Sequence, residues 1–245
     1  MKKFGLIGRS LEHSFSKSFF ERYFEGHSIL ASYENIELSE IAEIQTVISN
    51  GYSGLNVTIP YKEQIIPFLD ELSEEALKIG AVNVVEFKNG KTIGHNTDVY
   101  GFRNSIKPFL NNHHDRAIIF GTGGASKAVE FVLKNLGIDV IFISRNPKGE
   151  NQFSYEDVNE HMTNACKLWI NTTPVGTHPN NEDVLPIPFN FLTEHHFLID
   201  LIYNPEKTVF LQEGEKKGAM LQNGHSMLKH QATKAWEIWT LNESN

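Results

Sequence analysis

Lys62 and Asp98 are candidates for moving a proton. Lys62 closes the run Asn56-Val57-Thr58-Ile59-Pro60-Tyr61-Lys62, and Asp98 closes Gly94-His95-Asn96-Thr97-Asp98. A lysine and an aspartate on separate loops can form an ion pair that orients the ammonium for proton transfer. Taken one by one, the two are more often a surface lysine and a turn aspartate, and spacing alone does not bring them together. Asn56 and Thr58 share one face of a strand end. Asn83, in Gly80-Ala81-Val82-Asn83, likewise stands at the edge of an apolar run, where loops present functional groups. Ser14 and Ser16 lie two apart in Gly8-Arg9-Ser10-Leu11-Glu12-His13-Ser14-Phe15-Ser16, just before a helical pattern. In extended geometry both hydroxyls face one side and, with nearby backbone N–H groups, can hold a carboxylate. The alternative is a helix cap, a common role for serine.

A second constellation is the loop Gly121-Thr122-Gly123-Gly124-Ala125-Ser126, which follows an apolar run at 117–120 and opens a helical pattern. In a dinucleotide-binding unit such glycines allow a tight turn and close approach of the backbone to a pyrophosphate. The helix N-terminus adds unsatisfied N–H groups and the positive end of its dipole. An ordinary glycine turn is the alternative; the surrounding strand, loop, helix and strand favour the nucleotide. Sites selective for NAD place an acid at the end of the next strand to bind the ribose 2′-hydroxyl. This chain has Ser144-Arg145-Asn146 there. A guanidinium in place of the acid suits a 2′-phosphate, with Ser144 and Asn146 as further donors. NADP is therefore the expected cofactor. Lys127, in the helix after the loop, reads either as added positive charge or as a solvated helix lysine.

The elements that must position these residues alternate almost from end to end, which predicts an α/β fold of two domains with largely parallel sheets. Strands are expected at 4–7, 32–38, 54–59, 117–120, 139–143, 168–171 and 197–202. Asn89-Gly90 marks a hairpin between 81–87 and 91–93. Helices are expected over 15–24, 126–136 and 228–241, and Ile41, Ile44, Val47 and Ile48 recur at helical spacing. The polar run Asn111-Asn112-His113-His114-Asp115 is the candidate boundary loop, and 147–166 carries no functional signal.

Composition narrows the class further. At 245 residues the chain can form two domains of ordinary size. Its net charge of −8 offers no extended basic face to nucleic-acid phosphates. The lone Cys166 excludes an intramolecular disulfide and a cysteine-rich zinc site, and reads as a small core residue rather than a nucleophile. The N-terminal apolar run is too short for a signal-peptide core, and no stretch approaches the ~18 apolar residues of a membrane helix. A soluble, cytoplasmic protein is expected.

The motifs resemble one family when taken together. His13-Ser14-Phe15-Ser16, the Asn56-to-Lys62 run, Gly80-Ala81-Val82-Asn83, Asn96-Thr97-Asp98 and the glycine loop occur in order. Asn171-Thr172-Thr173-Pro174-Val175-Gly176, Asp200-Leu201-Ile202-Tyr203-Asn204-Pro205 and Gly224-His225-Ser226-Met227-Leu228 with Gln231 follow. This combination spans nearly the whole chain and is similar to shikimate dehydrogenase, an NADP-dependent oxidoreductase interconverting 3-dehydroshikimate and shikimate. The resemblance implies a substrate-binding catalytic domain of 1–98 plus 225–245 and a Rossmann NADP-binding domain of 99–224, with a C-terminal helix returning to the first. It implies that Ser14 and Ser16, aided by Tyr203, hold the substrate carboxylate. Asn56, Thr58, Asn83 and Gln231 then bind the rest of the substrate, and Lys62 and Asp98 form the catalytic pair. Gly121, Thr122, Gly123, Gly124, Ala125, Lys127, Ser144, Arg145 and Asn146 would bind NADP. Thr172 and Val175 would line the cofactor cleft, and Gly224 and Met227 would lie near the nicotinamide. No metal is required, because the cofactor carries the hydride.

The chain departs from the family pattern at Lys17, where proline is usual, at Lys127 and Ser144, where arginine and asparagine are frequent, and at Thr177, where methionine is common. A quinate/shikimate dehydrogenase paralogue, a non-catalytic metabolite sensor and a generic Rossmann binding protein are the competing readings. The expected partner is a small substrate, with no nucleic acid or membrane, and the expected state a monomer or homodimer.

Overall fold

A computed structural model describes residues 1–12 and 14–241. His13, from the serine segment, and the last residues of the expected first domain lie outside the described residues. The chain divides into two compact units, Met1–Gly101 with Leu228–Asn245, and Phe102–Met227. Asn111 to Asp115 falls inside the second unit, just before its first strand.

The first unit contains β1 (Lys2–Gly8), α1 (Phe15–Gly26), β2 (Ala31–Glu37), α2 (Ile44–Ile48), β3 (Gly54–Val57), α3 (Tyr61–Gln64) and β4 (Glu71–Leu72). They are followed by α4 (Glu74–Ile79), β5 (Val84–Lys88), β6 (Lys91–His95) and the start of α5 (Asp98–Ile106). The sheet order is β2-β1-β3-β5-β6-β4. β1 runs parallel to β2 and β3, and β4 to β6, whereas β5 is antiparallel to both β3 and β6. The hairpin forms as expected, with Asn89 and Gly90 at φ 51° and 77°. Side chains alternate across the sheet, so it buries two cores. Ile7, Leu55, Val57 and Val85 pack with Tyr61 and Ile65 in one, and Phe4, Leu6 and Val84 pack with Phe20 and Tyr33 in the other.

The second unit begins β7 (Arg116–Phe120), α6 (Gly124–Asn135), β8 (Asp139–Ile143), β9 (Gln152–Phe153), α7 (Glu160–Ala165) and β10 (Leu168–Asn171). β11 (Phe197–Asp200), α8 (Val209–Glu215) and β12 (Met220–Gln222) complete it. Its sheet is parallel throughout, in the order β12-β11-β10-β7-β8-β9. The chain moves from β7 outward through β8 on one side and returns to β10 on the other. That reversal next to β7 is where open α/β sheets bind ligands. In α6, Ala128, Val129, Val132 and Leu133 are buried at helical spacing, which docks the helix on the sheet. Cys166 is buried, and burial pushes its thiol up to about 11, which fits a core residue and not a nucleophile.

The last helix, α9 (His225–Thr240), places Ala232, Ala235 and Trp239 in the second core of the first unit. The Trp239 indole donates to the Val85 carbonyl at 3.1 Å and stacks on Phe4 with ring centroids 4.9 Å apart. The C-terminal helix thus joins the unit that begins the chain. Among the described residues no helix is long and apolar enough to cross a membrane.

Candidate active site

Topology brings the polar residues of the first unit to one edge of its sheet. β1, β3 and β6 end there and β5 starts there, so the segments carrying Ser14, Asn56, Thr58, Asn83 and Asp98 leave or enter the sheet side by side. Lys62 lies in α3, one turn beyond β3. The Val82 N–H donates to the Lys62 carbonyl at 2.8 Å, fastening this turn to the entry of β5.

The lysine and the aspartate meet. Lys62 Nζ lies 2.6 Å from Asp98 Oδ2, with side chains only 14% and 7% exposed. Asp98 Oδ1 accepts from Asn83 Nδ2 at 2.9 Å, so both carboxylate oxygens are fixed. Asn83 is held in turn: its Oδ1 accepts the Thr97 N–H at 2.7 Å, and its Nδ2 also donates to Thr97 Oγ1 at 3.0 Å. Gln231 of α9 joins through Oε1, 3.4 Å from Asn83 Nδ2. The ammonium is therefore held by a carboxylate that cannot rotate away, the arrangement that presents a proton in a fixed direction. Thr97, buried in this network, was missed by the sequence reading although it sits between the quoted Asn96 and Asp98.

Asn56 is buried at the end of β3, and its Oδ1 accepts the Tyr33 hydroxyl at 2.6 Å. Thr58, half-buried, follows it. Tyr33 was also missed; in sequence it is an aromatic within a strand, with nothing to mark its hydroxyl. Burial holds its phenol well above the ordinary value, with the Ser16 hydroxyl opposing that shift.

The extended geometry expected for Ser14 and Ser16 requires correction. Only Ser14 is extended (φ −65°, ψ 121°); Ser16 lies within the first turn of α1, buried against Tyr33. The cap alternative fails as well. Ser14 occupies the N-cap position, yet its side chain accepts no capping bond. Its Oγ is buried without any hydrogen-bond partner among the described residues. A buried hydroxyl left unsatisfied is costly, and a ligand that supplies its partner removes that cost.

In the second unit the glycine loop leaves β7 and enters α6. Gly121 takes φ +102°, and a Cβ there would lie 2.9 Å from Thr172 Oγ1, so glycine is required on both counts. α6 starts at Gly124, two residues before the expected start, and Gly123 at its N-cap offers no side chain to the first turn. The backbone N–H groups of Gly124 and Ala125 thus stand at an uncapped helix start with Thr122 exposed beside them, as a pyrophosphate needs. Arg145 is exposed after β8, with no carboxylate paired to it among the described residues. Asn146 donates its backbone N–H to Ser144 Oγ at 3.2 Å, closing the turn around the arginine. Lys127 is half-buried in α6. These residues fit a dinucleotide with a phosphorylated ribose.

Thr172 donates its hydroxyl to the Phe120 carbonyl at 2.7 Å, and Val175 packs on the core of this unit. Tyr203 lies half-buried between β11 and α8, and Met227 is buried in the first turn of α9. Gly224 has a packing role of its own, because a Cβ there would overlap the carbonyl oxygen of Leu201.

Residues 6–85 match the model of the shikimate dehydrogenase substrate binding domain. A shikimate dehydrogenase (NADP(+)) of Methanosphaera stadtmanae is 35% identical, covering 96% of this chain and 90% of its own. The chain belongs to the shikimate dehydrogenase family. It is therefore an oxidoreductase with the two-domain Rossmann-type fold of that family. The crystal structure of shikimate dehydrogenase 1 from Peptoclostridium difficile superposes with a TM-score of 0.88 at 36% identity, covering 98% of this chain and 92% of that one. A quinate dehydrogenase from Corynebacterium glutamicum, solved with NAD, gives 0.87 at 28% identity, covering 98% and 93%. Neighbours named for shikimate and for quinate thus superpose almost equally well, so fold alone does not separate substrates, and side chains must.

Proposed function

We propose that this chain is an NADP-dependent shikimate dehydrogenase that reversibly reduces 3-dehydroshikimate to shikimate. The observation carrying the proposal is the Lys62–Asp98 pair at 2.6 Å, braced by Asn83. Residues 1–98 with 225–245 would bind the substrate, and 99–224 the cofactor. When bound, the nicotinamide supplies the hydride that converts the C3 ketone into an alkoxide. Lys62 donates a proton to that developing oxygen and is reprotonated from solvent, while Asp98 keeps the ammonium aimed and stabilises its charge. In the oxidative direction neutral Lys62 takes the hydroxyl proton. Asn83, Thr58, Asn56 and Gln231 orient the ring hydroxyls. Ser14, whose buried Oγ has no hydrogen-bond partner among the described residues, and Ser16 bind the carboxylate.

Arg145 supports NADP over NAD, since a guanidinium binds a phosphate with charge-assisted hydrogen bonds and the acid that would bind a free 2′-hydroxyl is absent. The test follows formation of reduced nicotinamide with shikimate and NADP⁺, beside wells containing quinate or NAD⁺. Fast turnover with shikimate and NADP⁺ alone is expected. Turnover mainly with quinate or NAD⁺ would retain the lysine–aspartate chemistry and overturn the specificity. Binding of shikimate and NADP⁺ without turnover in any well would point to a sensor.

A further inference from the structure

Asp200 is fully buried at the end of β11 and has no part in the roles proposed above. Its Oδ2 accepts the Thr208 hydroxyl at 2.6 Å. Its Oδ1 accepts the Ile202 N–H at 3.0 Å and Asn171 Nδ2 at 3.2 Å. Asn171 closes β10 and shapes the segment after it, its Oδ1 accepting from the Thr173 N–H at 3.0 Å and the Thr173 hydroxyl at 2.7 Å. Thr208 caps α8 by accepting from the Leu211 N–H. One carboxylate thus gathers the chain leaving β10, the chain leaving β11 and the start of α8.

We propose that Asp200 is a positioning residue for the cofactor site, its ionised carboxylate holding the segments 171–176 and 201–208 in the arrangement that presents Thr172 and Val175 to the bound dinucleotide. The proposal rests on the cofactor reading given above. An ionised carboxylate accepts from all three donors with charge-assisted strength; a protonated carboxyl or an amide can turn its own donor to the Thr208 hydroxyl, but the oxygen facing Ile202 and Asn171 is then a weaker, neutral acceptor. The weakened bond from Asn171 loosens the segment carrying Thr172. That segment touches the glycine loop directly, because Gly121 lies against Thr172 and Thr173.

All three donors are neutral, so no cation among them holds the charge in place. Burial pushes the carboxyl up to about 6, against the opposing effect of the bonds from Thr208, Ile202 and Asn171. If the cofactor prefers the ionised form, its affinity is full above that value and falls as pH drops through it.

The test is calorimetric binding of NADP⁺ to the whole protein between about pH 5 and about pH 8. Asp200→Asn is expected to bind roughly 10-fold more weakly at the alkaline end. The gap should close towards the acid end, where the parent carboxyl is itself protonated. The 2′-phosphate titrates over the same range, but equally for both proteins, so the ratio of affinities isolates Asp200. Thr208→Val removes a donor that favours the ionised form, and its affinity should fall at a higher pH than the parent's; this variant carries the test if Asp200→Asn does not fold. A gap that stays constant with pH would make Asp200 a structural residue only, and equal affinities throughout would remove its role. Failure of the parent to bind NADP⁺ at any pH would defeat the cofactor reading and this proposal together.

Discussion

In the first unit Lys62, Asn83, Asp98 and Gln231 reach one another from α3, the approach to β5, the start of α5 and α9. In the second, Gly121 to Gly123 link β7 to α6, whose first residues are Gly124 and Ala125, and Arg145 follows the next strand. The first site consists of side chains distant in sequence, buried, and hydrogen-bonded to one another. The second consists largely of backbone donors at a helix start and one exposed cation. A convergent side-chain site concentrates its chemistry in single residues, because a buried ion pair stripped of one partner leaves a charge with nothing equivalent to replace it. A backbone site spreads its contribution over several N–H groups, so a side-chain change there adjusts affinity and selectivity more than rate.

The sharpest way to break this contrast is Lys62→Ala. It is expected to lower kcat by about 10²–10⁴-fold, the usual contribution of a positioned acid–base group, while circular dichroism reports a folded chain. Near-normal kcat would refute the assignment of Lys62. Next in size is Arg145→Ala, which should raise KM for NADP⁺ by about 10–100-fold, as expected for the loss of a hydrogen-bonded charge, and leave KM for NAD⁺ nearly unchanged. An equal rise for both cofactors would show that Arg145 does not read the 2′-phosphate. The smallest effect is expected at Ser14→Ala. KM for shikimate should rise by roughly 10-fold, near the lower end for loss of one hydrogen bond to a charged ligand. The melting temperature of the unliganded protein should hold or rise, because the substitution deletes a buried hydroxyl that has no partner among the described residues. A clear fall in melting temperature would mean that Ser14 serves the fold instead.

The same contrast separates what was legible in sequence from what was not. The glycine loop could be read because its parts are contiguous: an apolar strand, small residues and an apolar helix face define it within a few turns of chain. Ser16 could be read two ways, as an extended partner of Ser14 or as part of the helix expected over 15–24, and α1 carries it into its first turn. Short edge strands such as β4, β9 and β12 gave no signal, since pairs or triplets of residues show no periodicity and exist only through pairing with a neighbour. Asp200 was visible as a letter in a motif, but its enclosure by Asn171 and Thr208 depends on β10 and β11 lying side by side.

By itself the sequence determined the α/β class, the alternation of elements, the glycine loop after β7 with Arg145 after the next strand, and the family resemblance, because each rests on local pattern or on motifs in order. Only the tertiary structure decided that Lys62 meets Asp98, that Asn83, Thr97 and Gln231 brace them, and that the Ser14 hydroxyl has no partner among the described residues. The physical reason is distance along the chain: strand pairing brings together loops that no local periodicity connects, and hydrogen bonds then fix which side chains face one another.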